Sequence, residues 1–137
     1  MLSELIQLSF DKIMQTRSYT VVVLGAKEKR FAIYTEPNLG RILQNYLTDS
    51  EKTRPLTHDL MNMIFTGFDI NVMQVVINDV QETIYFARIF LEQEMNGLRH
   101  IVEIDARPSD CLTLALIHNA PIYCTKEVLD KTIAVED

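Results

Sequence analysis

The stretch LRHIVEIDARPSDCLTLALIHN, residues 98–119, decides the fold. Its first half alternates. Leu98, His100, Val102 and Ile104 fall on one face, and Arg99, Ile101, Glu103 and Asp105 on the other, which is the period of a β-strand. Arg107-Pro108 ends that pattern. Proline has no N–H and a fixed φ, so it suits the first turn of a helix. From Leu112 to Ile117 the chain is apolar nearly all round, which predicts a helix buried on several sides. A strand that runs directly into a buried helix places helices against a sheet.

Working outward, INVMQVVIND (70–79) and TIYFARIFLEQ (83–93) read as two further strands with a turn at NDVQE (78–82). Asn96-Gly97 predicts a tight hairpin into the strand at 98–106. YTVVVLGA (19–26) and RFAIY (30–34) form another expected hairpin. Leu39, Ile42, Leu43, Tyr46 and Leu47 recur at helical spacing, so a helix starts near Pro37. Thr48 to Thr53 is a polar connector. RPLTHDL (54–60) leads into a helix with Leu60, Met61, Ile64, Phe65 and Phe68 on one side and Gly67 as its stop. APIYC (120–124) reads as a short buried strand, and Thr125 caps a last helix, KEVLDK. Leu5–Met14 fits helix or strand equally. The expected fold class is α+β: one domain over residues 1–137, a mostly antiparallel mixed sheet and three to four covering helices.

Composition narrows the function classes. Hydrophobic residues make up 47% of the 137, an ordinary globular balance with no apolar run long enough for a membrane span. The N-terminus lacks the basic and apolar regions of a secretory signal. Cys111 and Cys124 sit in apolar contexts and read as reduced core thiols, so a cytoplasmic location is expected. The net charge of −6 argues against tight non-specific nucleic-acid binding, which needs a basic surface. It leaves room for a nuclease in which a local basic patch or a cation offsets the acids.

RPLTHDL has a near echo in DARPSDCL (105–112). In both, a hydroxyl residue and an acid follow Arg-Pro, and both work as helix starts. Helix N-termini attract anions, and an adjacent guanidinium can hold a phosphate with two hydrogen bonds. Arg54, Thr57, Arg107 and Ser109 are thus candidate anion-binding residues. Each arginine can equally pair with a neighbouring aspartate. His58 lies at the border of its helix's apolar stripe, where a histidine can act as a general base or sit half-buried. His100 is expected to pack with its strand face, and His118 to favour the negative end of its helix. Glu103 and Asp105 share a strand face, and with Asp110 they form a carboxylate set of the kind that holds Mg²⁺ or Mn²⁺ for phosphodiester cleavage. Zinc, Walker and dinucleotide motifs do not occur.

RPLTHDL, DARPSDCLTLAL (105–116) and APIYCTKEVLD (120–130), in this order and with the hairpin VVINDVQETIYFARIFLE (75–92) between, resemble the bifunctional nuclease domain family. The resemblance covers roughly residues 18 to 131. It implies an α+β fold, a homo-oligomer with a dimer favoured, and nuclease activity on DNA and RNA. The matching polar positions are Arg54, Thr57, His58, Asp59, Asp105, Arg107, Ser109 and Asp110. His58, Asp59, Arg54 and Arg107 are then the candidate catalytic residues, and the carboxylate set of Asp105, Asp110 and Glu103 supplies the candidate cation ligands. The segment RFAIYTEPNLGRI (30–42) departs from the family's pattern. The alternative is a non-catalytic binding or assembly module whose Arg-Pro motifs are helix starts or a small-anion site.

Overall fold

The computed structural model describes residues 4–48 and 54–136. In chain order the elements are β1 (Leu5–Gln15), β2 (Thr20–Gly25), β3 (Arg30–Thr35), α1 (Pro37–Thr48), α2 (Thr57–Gly67), β4 (Ile70–Gln81), β5 (Ile84–Met95), β6 (Leu98–Ala106), α3 (Pro108–His118), β7 (Ile122–Thr125) and α4 (Lys126–Lys131). The strands form one seven-stranded sheet, ordered β3-β2-β1-β7-β4-β5-β6. Every pairing is antiparallel except β4 with β7. This is the α+β class with a mixed sheet. No helix among the described residues is long and apolar enough to cross a membrane.

Turn chemistry sets the meander at one end of the sheet. Asn96 and Gly97 both take positive φ, 54° and 77°, which closes the β5–β6 hairpin with the twist the strands need. Glu82 takes φ 60°, so the β4–β5 turn falls at Glu82-Thr83 and both strands run longer than their sequence pattern indicates. Leu5–Gln15 is a strand because it fills the gap between β2 and β7, pairing with both. Its bulge between Phe10 and Lys12 frees Asp11, whose carboxylate accepts from Arg30 at 2.7 Å.

β2 reads as an unbroken apolar run because Thr20 to Leu24 are all buried. α1, α2 and α3 pack together over the sheet. The core joins Val22, Leu24 and Phe31 of the first hairpin to Val75, Ile77 and Ala87 of the second, with Leu43, Leu112 and Ala115 from the helices. α1 comes close enough to β2 that a Cβ on Gly40 would stand 2.0 Å from the Thr20 hydroxyl, so only glycine fits there. α4 begins where Thr125 Oγ1 accepts from Val128 N at 3.2 Å.

Three sequence expectations change. The α2 stripe divides: Met61 and Phe65 pack inward, whereas Leu60, Met63, Ile64 and Phe68 are exposed. Among the described residues, its inward contacts to the core come from Met61 and Phe65. His100 is exposed, because β6 is the last strand of the sheet and nothing among the described residues covers it. His118 is half-buried against Phe65, with ring centroids 5.9 Å apart. Burial lowers its pKa, because desolvation disfavours the charged ring. Most of the Thr48–Thr53 connector lies outside the described residues.

Candidate functional site

The two Arg-Pro segments start their helices at different offsets. In α3, Arg107 is the N-cap and Pro108 opens the helix. In α2 the N-cap is Leu56, so Arg54-Pro55 lies ahead of the helix. As a result Asp59 and Asp110 occupy the same third helical position, yet they do different work. Asp59 turns back on its own helix: its Oδ2 accepts from Leu56 N at 2.7 Å, supplying a partner to a donor the helix leaves open. Its Oδ1 accepts from the Tyr46 hydroxyl of α1 at 2.7 Å. Burial, then the Asp59 bond and charge, raise the Tyr46 pKa.

Asp110 turns outward to two partners. Its Oδ1 lies 3.0 Å from His58 Nε2, across the interface of α2 and α3. Arg107 forks onto both its oxygens, Nε at 2.9 Å from Oδ2 and Nη2 at 3.3 Å from Oδ1. Through that bond and charge Asp110 raises the Arg107 pKa. His58 is 5% exposed, and its Nδ1 is buried with no partner among the described residues. With an N–H on Nε2 donating to Asp110, the ring holds the carboxylate in place.

This cluster lines a cavity of about 640 Å³. Leu39, Ile42, Phe65, Ile89, Leu91 and Ile104 give it an apolar wall, and Thr57, His58, Arg107 and Asp110 a polar rim. Arg107 also borders a second cavity, of about 410 Å³, with Glu36, Ser109, Tyr34 and Tyr85. The arginine is therefore a ridge between two hollows, and its Nη1 is 3.6 Å from Glu36 Oε1. Arg54 is exposed ahead of α2.

Glu103 and Asp105 do not join this cluster. Ile104 walls the cavity, and strand alternation turns its neighbours to the opposite face of the sheet. There Glu103 Oε1 lies 3.3 Å from Arg88 Nε, and Asp105 4.0 Å from Arg88 Nη1. No group of three or more His, Cys, Asp or Glu placed to hold a metal ion occurs among the described residues. The donor set expected for Mg²⁺ or Mn²⁺ does not fit such an ion: Asp110 is engaged by His58 and Arg107, and the other two carboxylates face away.

The family model of the bifunctional nuclease domain matches residues 22–137, most of the chain. The chain belongs to the bifunctional nuclease domain family. Two uncharacterized proteins of Mycobacterium tuberculosis, from two strains, are each 33% identical to it over 79 residues. The match covers 58% of this chain and 44% of each relative, so the chain spans under half the length of the curated relatives it matches.

In this bifunctional nuclease domain the atypical 30–42 segment builds part of the site. Thr35 and Glu36 line the smaller cavity, and Asn38, Leu39 and Ile42 the larger. Glu36 and Tyr46 were not singled out by sequence reasoning. Tyr46 carries a signal in retrospect, since it is the one hydroxyl on the apolar stripe of α1. Glu36 sits just before Pro37 and carries none.

Proposed function

We propose that this bifunctional nuclease domain hydrolyses phosphodiester bonds of DNA and RNA at the rim formed by Asp110, His58 and Arg107. The observation that carries the reading is the Asp110 carboxylate held between His58 Nε2 and the Arg107 fork in the cavity lining. An arriving phosphate competes with Asp110 for Arg107, because a guanidinium fork suits both anions. The displaced carboxylate stays anchored by His58 and takes the proton of the attacking water. Arg107, with Thr57 of the same cavity lining as a further donor for the phosphate, offsets the charge that develops on phosphorus. His58 is a positioning residue here, since its free ring nitrogen is enclosed. Asp59 is a helix-capping residue rather than part of the chemistry.

A dependence on Mg²⁺ or Mn²⁺ is a separate proposal from the carboxylates of the sequence, and Glu103, Asp105 and Asp110 do not gather here to hold the ion. A homo-oligomer, with a dimer favoured, is proposed from the family. The test is cleavage of DNA and RNA by the purified chain, with each cation and with chelator, beside Arg107→Ala. The reading expects cleavage that Arg107→Ala reduces on both substrates. No cleavage of either substrate under any condition would sink it.

The mutual pairing of Arg107, Asp110 and His58 also supports the rival, a non-catalytic module in which the trio clamps α2 to α3. In that case Asp110→Asn lowers stability and there is no activity to lose.

A further inference from the structure

The smaller cavity has no part in the chemistry at Asp110, yet it is built of groups that bind anions. Tyr34, Glu36, Tyr85, Arg107, Pro108 and Ser109 line it. Pro108 opens α3, so the first N–H groups of the helix, on Ser109 and Asp110, have no partner within it. A helix end of this kind favours negative charge. Asp110, the acid of that first turn, lines the larger cavity and not this one.

Ser109 is an independent sign of a ligand. It is 6% exposed, and its carbonyl accepts from Thr113 Oγ1 at 2.7 Å. Its hydroxyl has no hydrogen-bond partner among the described residues, although Ser109 lines the cavity. A buried hydroxyl without a partner costs free energy, and an anion in the cavity supplies the missing acceptor. Arg107 also has a donor to spare. Its Nε and Nη2 hold Asp110, whereas Nη1 lies 3.6 Å from Glu36 Oε1, too far for a hydrogen bond. The Glu36 side chain is exposed, so that ion pair is weak and yields to a better-placed anion.

We infer that the smaller cavity is a second phosphate subsite, which takes the phosphodiester next to the one at Asp110, with the strand lying across the Arg107 ridge. Arg107 Nη1, the Ser109 hydroxyl and the first N–H groups of α3 receive its oxygens. Glu36, the one acid among the described residues of that lining, opposes the incoming charge and limits the affinity. The inference rests on the phosphodiester reading of the neighbouring site and narrows its substrate to a strand with at least two adjacent linkages.

Equilibrium binding by calorimetry provides the test. The probes are a thymidine trinucleotide with both phosphodiesters charged and its two forms in which one linkage is a neutral methylphosphonate. Wild type is expected to bind the fully charged probe about tenfold more tightly than either neutralised form, the worth of hydrogen bonds to a charged group. Ser109→Ala should close most of that gap without weakening the neutralised forms. Glu36→Gln should widen it, and this surface variant keeps the test decisive should Ser109→Ala fail to fold. No gap in wild type, an unchanged gap in folded Ser109→Ala, or an unchanged gap in Glu36→Gln would overturn the inference. Binding is read apart from cleavage. A chain that shows the gap and cleaves nothing loses the phosphodiesterase reading alone, and a chain that cleaves without the gap loses the subsite alone.

Discussion

His58 of α2 and Asp110 of α3 meet at 3.0 Å although 52 residues separate them. The contact ties the two Arg-Pro segments into one cluster. It also makes Asp110 a held carboxylate in the cavity lining, with Arg107 as its second partner. The two segments face each other, and their shared rim faces the cavity. The other candidate acids have different neighbours: Asp59 caps its helix, and Glu103 and Asp105 pair with Arg88 across the sheet.

The capping role gives a first prediction. Asp59→Ala removes the bond to Leu56 N and the acceptor for the Tyr46 hydroxyl. Loss of a helix cap costs about 1 kcal/mol, and loss of the Tyr46 bond adds to it. Urea denaturation should show a lower midpoint with an unchanged slope. A midpoint equal to wild type would remove Asp59 from the account of α2.

Gly40→Ala should destabilise the chain although alanine is the better helix former. The new methyl meets the Thr20 side chain at 2.0–2.5 Å. Overpacking of this kind typically costs about 1–3 kcal/mol. Combining it with Thr20→Ser, which deletes the crowded methyl, should recover part of the loss in a thermal melt. A Gly40→Ala melt at or above the wild-type midpoint contradicts the close approach of α1 to β2.

Much of this architecture can be read in the sequence. Asn96-Gly97 marks the β5–β6 hairpin, and Pro37 with its apolar spacing marks α1. Local chemistry decides those elements. Position in the sheet decides the rest. β1 has no clear period because only Leu8 along it is fully buried, so its state comes from the strands on either side. α2 carries apolar residues on two sides, and only tertiary contact selects Met61 and Phe65 as the inner pair. The carboxylates near Arg107 look like one cluster in sequence. Strand alternation up to Asp105 and a helical turn before Asp110 send them to different faces.

The thiols should be inert in the folded chain. Burial, chiefly, pushes Cys111 up to about 12 and Cys124 up to about 11. Thiolate is the reactive form, so a disulfide reagent at pH 8 should titrate neither cysteine before denaturant is added and both afterwards. Fast reaction of either thiol in the native chain would contradict its burial.

Stability should fall in mild acid, partly through His118. Burial holds its folded pKa below the unfolded value of about 6.5, so the unfolded chain takes up the proton first. The sign follows from linkage: its share of stability is complete above the unfolded pKa and is lost as pH falls through the folded value. His118→Gln should flatten the pH dependence of the melting temperature below neutrality. An unchanged slope would show that other groups set it.

The most direct measurement of the central claim is single-turnover cleavage of DNA and RNA by wild type, Asp110→Asn, His58→Ala and His58→Gln. With Asp110 as proton acceptor, Asp110→Asn should lose about 100-fold or more on both substrates while remaining folded. His58→Ala should lose part of the rate and change its pH profile. His58→Gln, which keeps an N–H for Asp110, should recover some of it. A folded Asp110→Asn chain that cleaves at the wild-type rate would contradict the account.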